Sequence, residues 1–295
     1  MDRLLIVILG LVTGSFLNVC IYRLPQGMSI VHPRSRCPHC GRAVRAWENV
    51  PVLGFLLLGG RCHGCRQPIA WRYPVVELLV GAIFLVAYQQ AGPSMAFLKA
   101  SFLLCSLLVL VATDWDTQIL PDEVTLGGLL VGLGLAWWVA PGGAQARPSP
   151  AGLPAVGWAA LSAVLSGGLL WLLGAAWSRW RGRDALGMGD AKMLALLGAF
   201  LGLALTWMTL ALAALAGSLA GILLATLVYL RRFARQRRRG RSHVQARFRA
   251  RHGVQAFFSR FPLPFGVFLG AVGAINWFWG DALWRWYLSR TGMGI

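Results

Sequence analysis

The run from Ala96 to Asp122 reads Ala96-Phe-Leu-Lys99-Ala-Ser-Phe-Leu-Leu-Cys105-Ser-Leu-Leu-Val-Leu-Val-Ala-Thr113-Asp114-Trp115-Asp116-Thr-Gln-Ile-Leu120-Pro121-Asp122. Residues 96 to 113 carry a single charge, Lys99, and the block then stops on acids. A bilayer core takes roughly 17 to 25 apolar residues in helical form. Working outward, residues 4 to 21, 75 to 90, 124 to 140, 155 to 177, 191 to 205, 207 to 230 and 263 to 280 form seven more blocks almost free of charge. A soluble helical bundle would show polar faces recurring every three or four residues, and these blocks lack them. The chain is 57% hydrophobic and 13% charged, against about 25% charged for soluble domains. The reading is an all-α polytopic membrane protein of about eight transmembrane helices. The first block resembles a signal peptide in length, but no small-residue cleavage site follows it, so it reads as a retained helix.

Net charge is +18, and its distribution decides what it means. Of 28 Lys and Arg, eight lie between Arg23 and Tyr73, three between Ser178 and Asp190 and eleven between Arg231 and Pro262. With eight helices these are alternate loops. The loops near Gly92 and from Pro141 to Pro154 hold almost none. This asymmetry places the basic loops in the cytoplasm and both termini outside it. The charge therefore reports orientation and contact with anionic lipid rather than nucleic-acid binding. Lysine is rare, with only Lys99 and Lys192 against 26 arginines, a bias that points to genomic base composition rather than to chemistry.

Cys20 and Cys105 lie inside apolar blocks and read as packing residues. The other four cysteines form two pairs, Cys37-Pro-His-Cys40 and Cys62-His-Gly-Cys65. Two knuckles of this spacing close a tetrahedral thiolate shell around zinc. Their loop faces a reducing compartment, where disulfides are disfavoured. A shell of four thiolates leaves no open position, so the zinc is expected to be structural. His39 and His63 are expected to face solvent, and Gly41 and Gly64 to give the knuckles backbone freedom. The apolar part of Trp47 to Leu58 is too short to span; it lies on the membrane surface or packs under the ribbon. The chain thus divides into a first helix (1–22), a cytoplasmic zinc-binding loop (23–74) and a membrane domain (75–295) with an Arg-rich loop at 231–262.

Only ten acids occur, and two segments hold the informative ones. Asp114, Asp116, Asp122 and Glu123 crowd around Pro121, while Gly187-Met188-Gly189-Asp190-Ala191-Lys192 opens a later helix. Ionisable groups at membrane depth are costly and usually functional. Asp122, Glu123 and Asp184 suit cap or loop roles, and Asp190 locally suits an N-cap. Asp114 suits none, because a carboxylate at a helix C-terminus meets the wrong end of the dipole. No histidine pairs with a nucleophile, so serine or cysteine catalysis is not supported.

Taken in order, these motifs resemble the bacterial type IV prepilin peptidases, GxGD aspartic proteases that commonly also N-methylate their product. The similarity begins at Gly14-Ser-Phe-Leu-Asn18-Val and Tyr22-Arg-Leu-Pro25, and continues through both knuckles, Asn49-Val-Pro51 and Arg72-Tyr-Pro-Val-Val-Glu77. It then takes in D-x-D-x-x-x-L-P-D at Asp114 to Asp122, GxGDxK at Gly187 to Lys192, and Pro264-Phe-Gly-Val267. The resemblance implies Asp114 and Asp190 as the catalytic pair, supported by Gly187, Gly189, Lys192, Asp116 and Asp122. It also implies Cys37, Cys40, Cys62 and Cys65 as zinc ligands, S-adenosylmethionine as methyl donor, prepilins or pseudopilins as substrates and the inner membrane as location. Asp116 competes for the first catalytic position. If the helix stays regular, Asp114 and Asp116 lie about 200° apart and cannot both face Asp190. Asp116, Asp122 and Glu123 are expected to attract the basic leader of the substrate. Asn49, Gly60, Arg72 and Glu77 match family positions, but no cofactor pocket can be read from spacing. A peptidase without methylation, a non-catalytic assembly factor and a transporter are the competing functions.

Overall fold

The computed structural model describes residues 3–143, 153–182, 187–240, 242–260 and 263–291. Asp184 and most of the loop from Pro141 to Pro154 lie outside the described residues. Within them every regular element is helical, and the extended pairings are two single bridges, Arg36 with Ala43 and Arg61 with Pro68. In chain order come α1 (Arg3–Arg23), the short α2 (Leu53–Leu57), α3 (Arg72–Ala91), α4 (Met95–Thr117) and α5 (Asp122–Leu135). α6 (Ala155–Ala163) runs through a π turn (Val164–Gly168) into α7 (Leu169–Arg181). α8 (Met188–Leu201), α9 (Leu203–Arg238), α10 (His243–Arg260) and α11 (Phe265–Thr291) follow.

Each of the eight apolar blocks is mostly helical, and among the described residues five helical stretches are long and apolar enough to cross a membrane: 3–26, 72–91, 95–117, 155–181 and 203–238. Of the about eight spans expected, length and composition support these five. α5 and α8 have 14 residues each, about 21 Å at 1.5 Å per residue, short of a roughly 30 Å hydrocarbon core. α8 is stopped by Gly202, whose φ of +77° turns the chain directly into α9.

Glycine sets how closely these helices approach. A side chain at Gly10 would come within 2.8 Å of the Gly81 Cα, and one at Gly14 within 2.7 Å of the Glu77 Cα, so α1 and α3 pack backbone to backbone. α8 is the central helix. Leu194, Leu196, Leu197 and Phe200 are fully buried, as expected for a helix apolar on every side. At the π turn a Cβ on Gly167 would stand 2.7 Å from the Ala191 carbonyl, and one on Gly198 would stand 2.6 Å from that of Ser162. The wide turn therefore lets α6 and α7 wrap around α8.

Lys99 is wholly buried, and its ammonium donates to the Val139 and Ala140 carbonyls at 3.2 and 2.7 Å. It closes the turn that follows α5, a structural role that lysine scarcity alone did not suggest. The Gly142 N–H bonds the Phe200 carbonyl at 2.9 Å, tying the same turn to the end of α8. α9 is 36 residues long, about 54 Å, and overshoots any bilayer core. α10 runs back along its Arg-rich end, with Ala246 and Ala250 buried in the seam and the Arg232 side chain over Gly253.

Candidate active site

Asp114 sits in the last turn of α4, which closes on Gln118 at φ +57° with its N–H on the Asp114 carbonyl at 3.0 Å. The side chain points inward and is 6% exposed. Its Oδ2 accepts the Val267 N–H at 3.0 Å, and the Gly266 backbone also bonds the carboxyl. Both donors belong to the first turn of α11, where N–H groups lack helical partners and the dipole favours a negative charge. The carboxylate thus leaves the unfavourable end of its own helix for the favourable end of another. A Cβ at Gly266 would come 2.8 Å from Asp114 Oδ2, so only glycine allows this approach.

Asp190 stands in the first turn of α8, and its N–H bonds the Gly187 carbonyl at 3.1 Å. The N-cap is Gly187, so Asp190 is not the cap that local spacing suggested; its side chain is left free to face inward. It is half-buried and close enough to Asp114 for the two carboxyls to interact electrostatically. Leu120, from the link between α4 and α5, packs against the glycine beside each carboxyl, Gly189 and Gly266. A Cβ at Gly189 would lie 3.0 Å from Leu120 Cδ1, and one at Gly266 would lie 3.3 Å from its Cδ2.

The neighbouring acids face elsewhere. Asp116 forms an ion pair with Arg72 at the start of α3 and so turns away from Asp190. Asp122 accepts both hydrogen bonds of Lys192 Nζ, at 2.6 and 2.8 Å, clasping α5 to α8. Among the described residues only Glu123 of this acidic group is left exposed without a cation. Asp116 and Asp122, expected with Glu123 to attract a basic leader, thus each already have a cation of this chain beside them.

The four knuckle sulfurs lie within 4.8 Å of one another, and all are free thiols. The two knuckles repeat each other. The Cys37 N–H bonds the Arg42 carbonyl and the Cys62 N–H bonds that of Gln67, each at 2.9 Å. Gly41 takes φ +68°, but its counterpart in the second knuckle is Arg66 at +58° and not Gly64. Gly64 is needed for space instead, since a Cβ there would meet Arg42 Cδ at 3.2 Å and Cys40 Sγ at 3.7 Å. Backbone N–H groups of Cys65 and Gly64 lower the Cys62 thiol, as suits a metal thiolate, while burial and the neighbouring sulfurs raise Cys65. His39 and His63 are exposed, and His63 stands edge-on to Trp47 at 5.9 Å. The Arg42 guanidinium binds Glu48, and with the Arg45 N–H it holds that carboxyl at about 2. Phe55 of α2 packs on Trp71 at 4.9 Å, while Leu56 and Leu57 stay exposed.

Residues 8–91 match the family described as the bacterial peptidase A24 N-terminal domain, and residues 101–225 match the type IV leader peptidase family. A prepilin leader peptidase/N-methyltransferase of Burkholderia pseudomallei (strain 1026b) is 37% identical over 93% of this chain and 84% of its own length. The chain belongs to the type IV leader peptidase family. Proteins of the same description from Aeromonas hydrophila (33% identical, 97% of this chain, 93% of that one) and Neisseria gonorrhoeae (36%, 74% and 80%) also align. No solved structure matches. In this leader peptidase the first match takes in α1, the ribbon and α3, and the second takes in both aspartates. Gly266 and Val267, which hold Asp114, lie beyond both matched stretches. Sequence reading noted Pro264 to Val267 as a motif but had no signal that its backbone donates to Asp114.

Proposed function

We propose that this leader peptidase cleaves prepilins or pseudopilins at the cytoplasmic face of the bacterial inner membrane and then N-methylates the new amino terminus. What carries the cleavage reading is the meeting of Asp114 and Asp190, two inward-facing carboxyls from helices far apart in sequence. Two such groups share one proton and divide the work of a peptidase. The ionised carboxyl takes a proton from water, which attacks the scissile carbonyl, and the protonated one supplies a proton to the carbonyl oxygen and then the leaving amine. Val267 and Gly266 fix Asp114, and the first turn of α8 fixes Asp190. The leader enters from the basic side, and the apolar helix of the substrate stays in the bilayer.

The four thiols suit zinc by number, type and closeness, and a closed shell gives it a structural part in the ribbon. The methyl donor would supply an electrophilic methyl group to the amino terminus. The eight apolar blocks, of which α5, α8 and α11 would complete the bundle, support both termini outside and the three basic loops inside.

Cleavage of a model prepilin by the purified protein tests the pair. Asp114→Asn and Asp190→Asn should each lower kcat by about 10²–10⁴-fold, while Asp116→Asn keeps most of it. Activity surviving in both of the first two variants would sink the assignment.

A further inference from the structure

Beneath the ribbon, against the ribbon-side ends of α1 and α3, lies a cavity of about 540 Å³. That volume falls in the roughly 300–1,000 Å³ range of clefts that hold a ligand of drug size. Its wall includes aromatic rings of Tyr22, Phe55 and Tyr73, and Asn18, Arg72 and Glu77 lie on its helical side. Asn18 is 1% exposed, and its amide donates to the Tyr73 carbonyl at 3.1 Å and more weakly to that of Gly14 at 3.3 Å. Its Oδ1 has no partner, and neither has Arg72 Nε. Buried polar atoms are normally satisfied, so an orphaned acceptor and donor on two residues that line one cavity mark a place for a ligand's polar groups.

Glu77 is 6% exposed and accepts the Val52 N–H at 2.7 Å and the Ser15 hydroxyl. Val52 reaches it by adopting φ +60°, a region that a β-branched residue avoids. Backbone strain of this kind persists where the surroundings hold it in place, commonly at ligand sites. The cavity therefore presents the Glu77 carboxylate and aromatic rings on its helical side, with Arg23, Arg34, Arg36, Arg42 and Arg72 around the wall to meet a ligand's carboxylate. A sulfonium nucleoside carries the complementary set: a cationic centre, hydroxyl and amino donors, a carboxylate and a planar base.

The geometry points to this cavity as the chamber that binds S-adenosylmethionine and receives the freshly cut amino terminus, with Asn18 and Glu77 as its acceptors. This rests on the N-methylation reading. Glu77 takes the proton that leaves the substrate ammonium, and the freed nitrogen lone pair forms the new C–N bond. As the methyl C–S bond breaks, its electron pair stays on sulfur, leaving a neutral thioether. Arg72 joins the two sites, because it lines the cavity and holds Asp116, two residues from Asp114.

The test is equilibrium binding of tritiated S-adenosylmethionine to the purified full-length protein in nanodiscs, with prepilin cleavage and zinc content measured on the same samples. Asn18→Leu and Glu77→Gln should each weaken binding about tenfold or more, the loss expected for hydrogen bonds to charged groups. Val44→Trp, which fills the cavity from the ribbon side, should abolish binding while cleavage and zinc content persist. If all three variants cleave and bind as wild type does, the cavity is not the site. If wild type cleaves but neither binds nor methylates, the methylation reading itself falls.

Discussion

Asp114 is held by contacts that leave little slack. A Cβ at Gly266 would stand 2.8 Å from its Oδ2 and 3.3 Å from Leu120, so Gly266→Ala must push one of them aside. A misplacement near 1 Å at a reacting group costs about 10²-fold in rate. Gly266→Ala should therefore lower kcat by about that factor with KM little changed, measured on a model prepilin; an unaltered kcat would mean that the carboxyl does not need this seat. Lys192 and Asp122 call for a different test. Both are partly exposed, so their ion pair is worth about 0–1 kcal/mol. A double-mutant cycle of Lys192→Met and Asp122→Asn on unfolding stability should give a non-zero coupling of about 0.2–1 kcal/mol, and purely additive losses would show that the clasp is not what matters. The two aspartates were legible from sequence because their motifs are local. The donors to Asp114 were not, since Val267 lies 153 positions away and contributes only its backbone. Asp116 and Asp122 looked like free acids because ion pairs across 44 and 70 positions leave no local trace.

The four-cysteine ribbon was legible as an element because metal-ligand spacing is local, and the inner geometry of its second knuckle was not. Gly64 looked like the flexible position, yet Arg66 takes the left-handed conformation and Gly64 provides clearance. The ribbon should also respond to acid through Glu48. Its folded value near 2 lies below the ordinary 4.5, so the stabilisation is whole above about pH 4.5 and is lost as pH falls toward 2. The difference in denaturation midpoint between wild type and Glu48→Gln, measured across that window, should shrink to nothing at the acid end. A pH-independent difference would assign Glu48 a packing role instead. Chelating the zinc should open the ribbon and abolish methyl transfer while cleavage at the aspartates continues. Parallel loss of both activities would show that the ribbon also supports the protease site.

Across the whole molecule, all-α membrane architecture followed from the apolar blocks, because hydropathy is additive along the chain. Span lengths did not follow, because where a helix stops depends on single residues such as Gly202 and Pro121. The orientation carries its own test. A cysteine placed at Arg239, on the tip between α9 and α10, should react with an impermeant maleimide only after the membrane is broken. One placed at Gly92, between α3 and α4, should react in intact spheroplasts, and the reverse pattern would invert the topology. Lys99, finally, ties α4 to the turn after α5, and that turn is tied to the end of α8 through Gly142 and Phe200. All three knots lie at the end away from the aspartates, where the opposing ends of the same helices meet through the Lys192 clasp and close glycine contacts. The bundle is built like tongs, fastened at one end and bringing its two carboxyls together at the other, so slack at the pivot would be felt as play between the jaws.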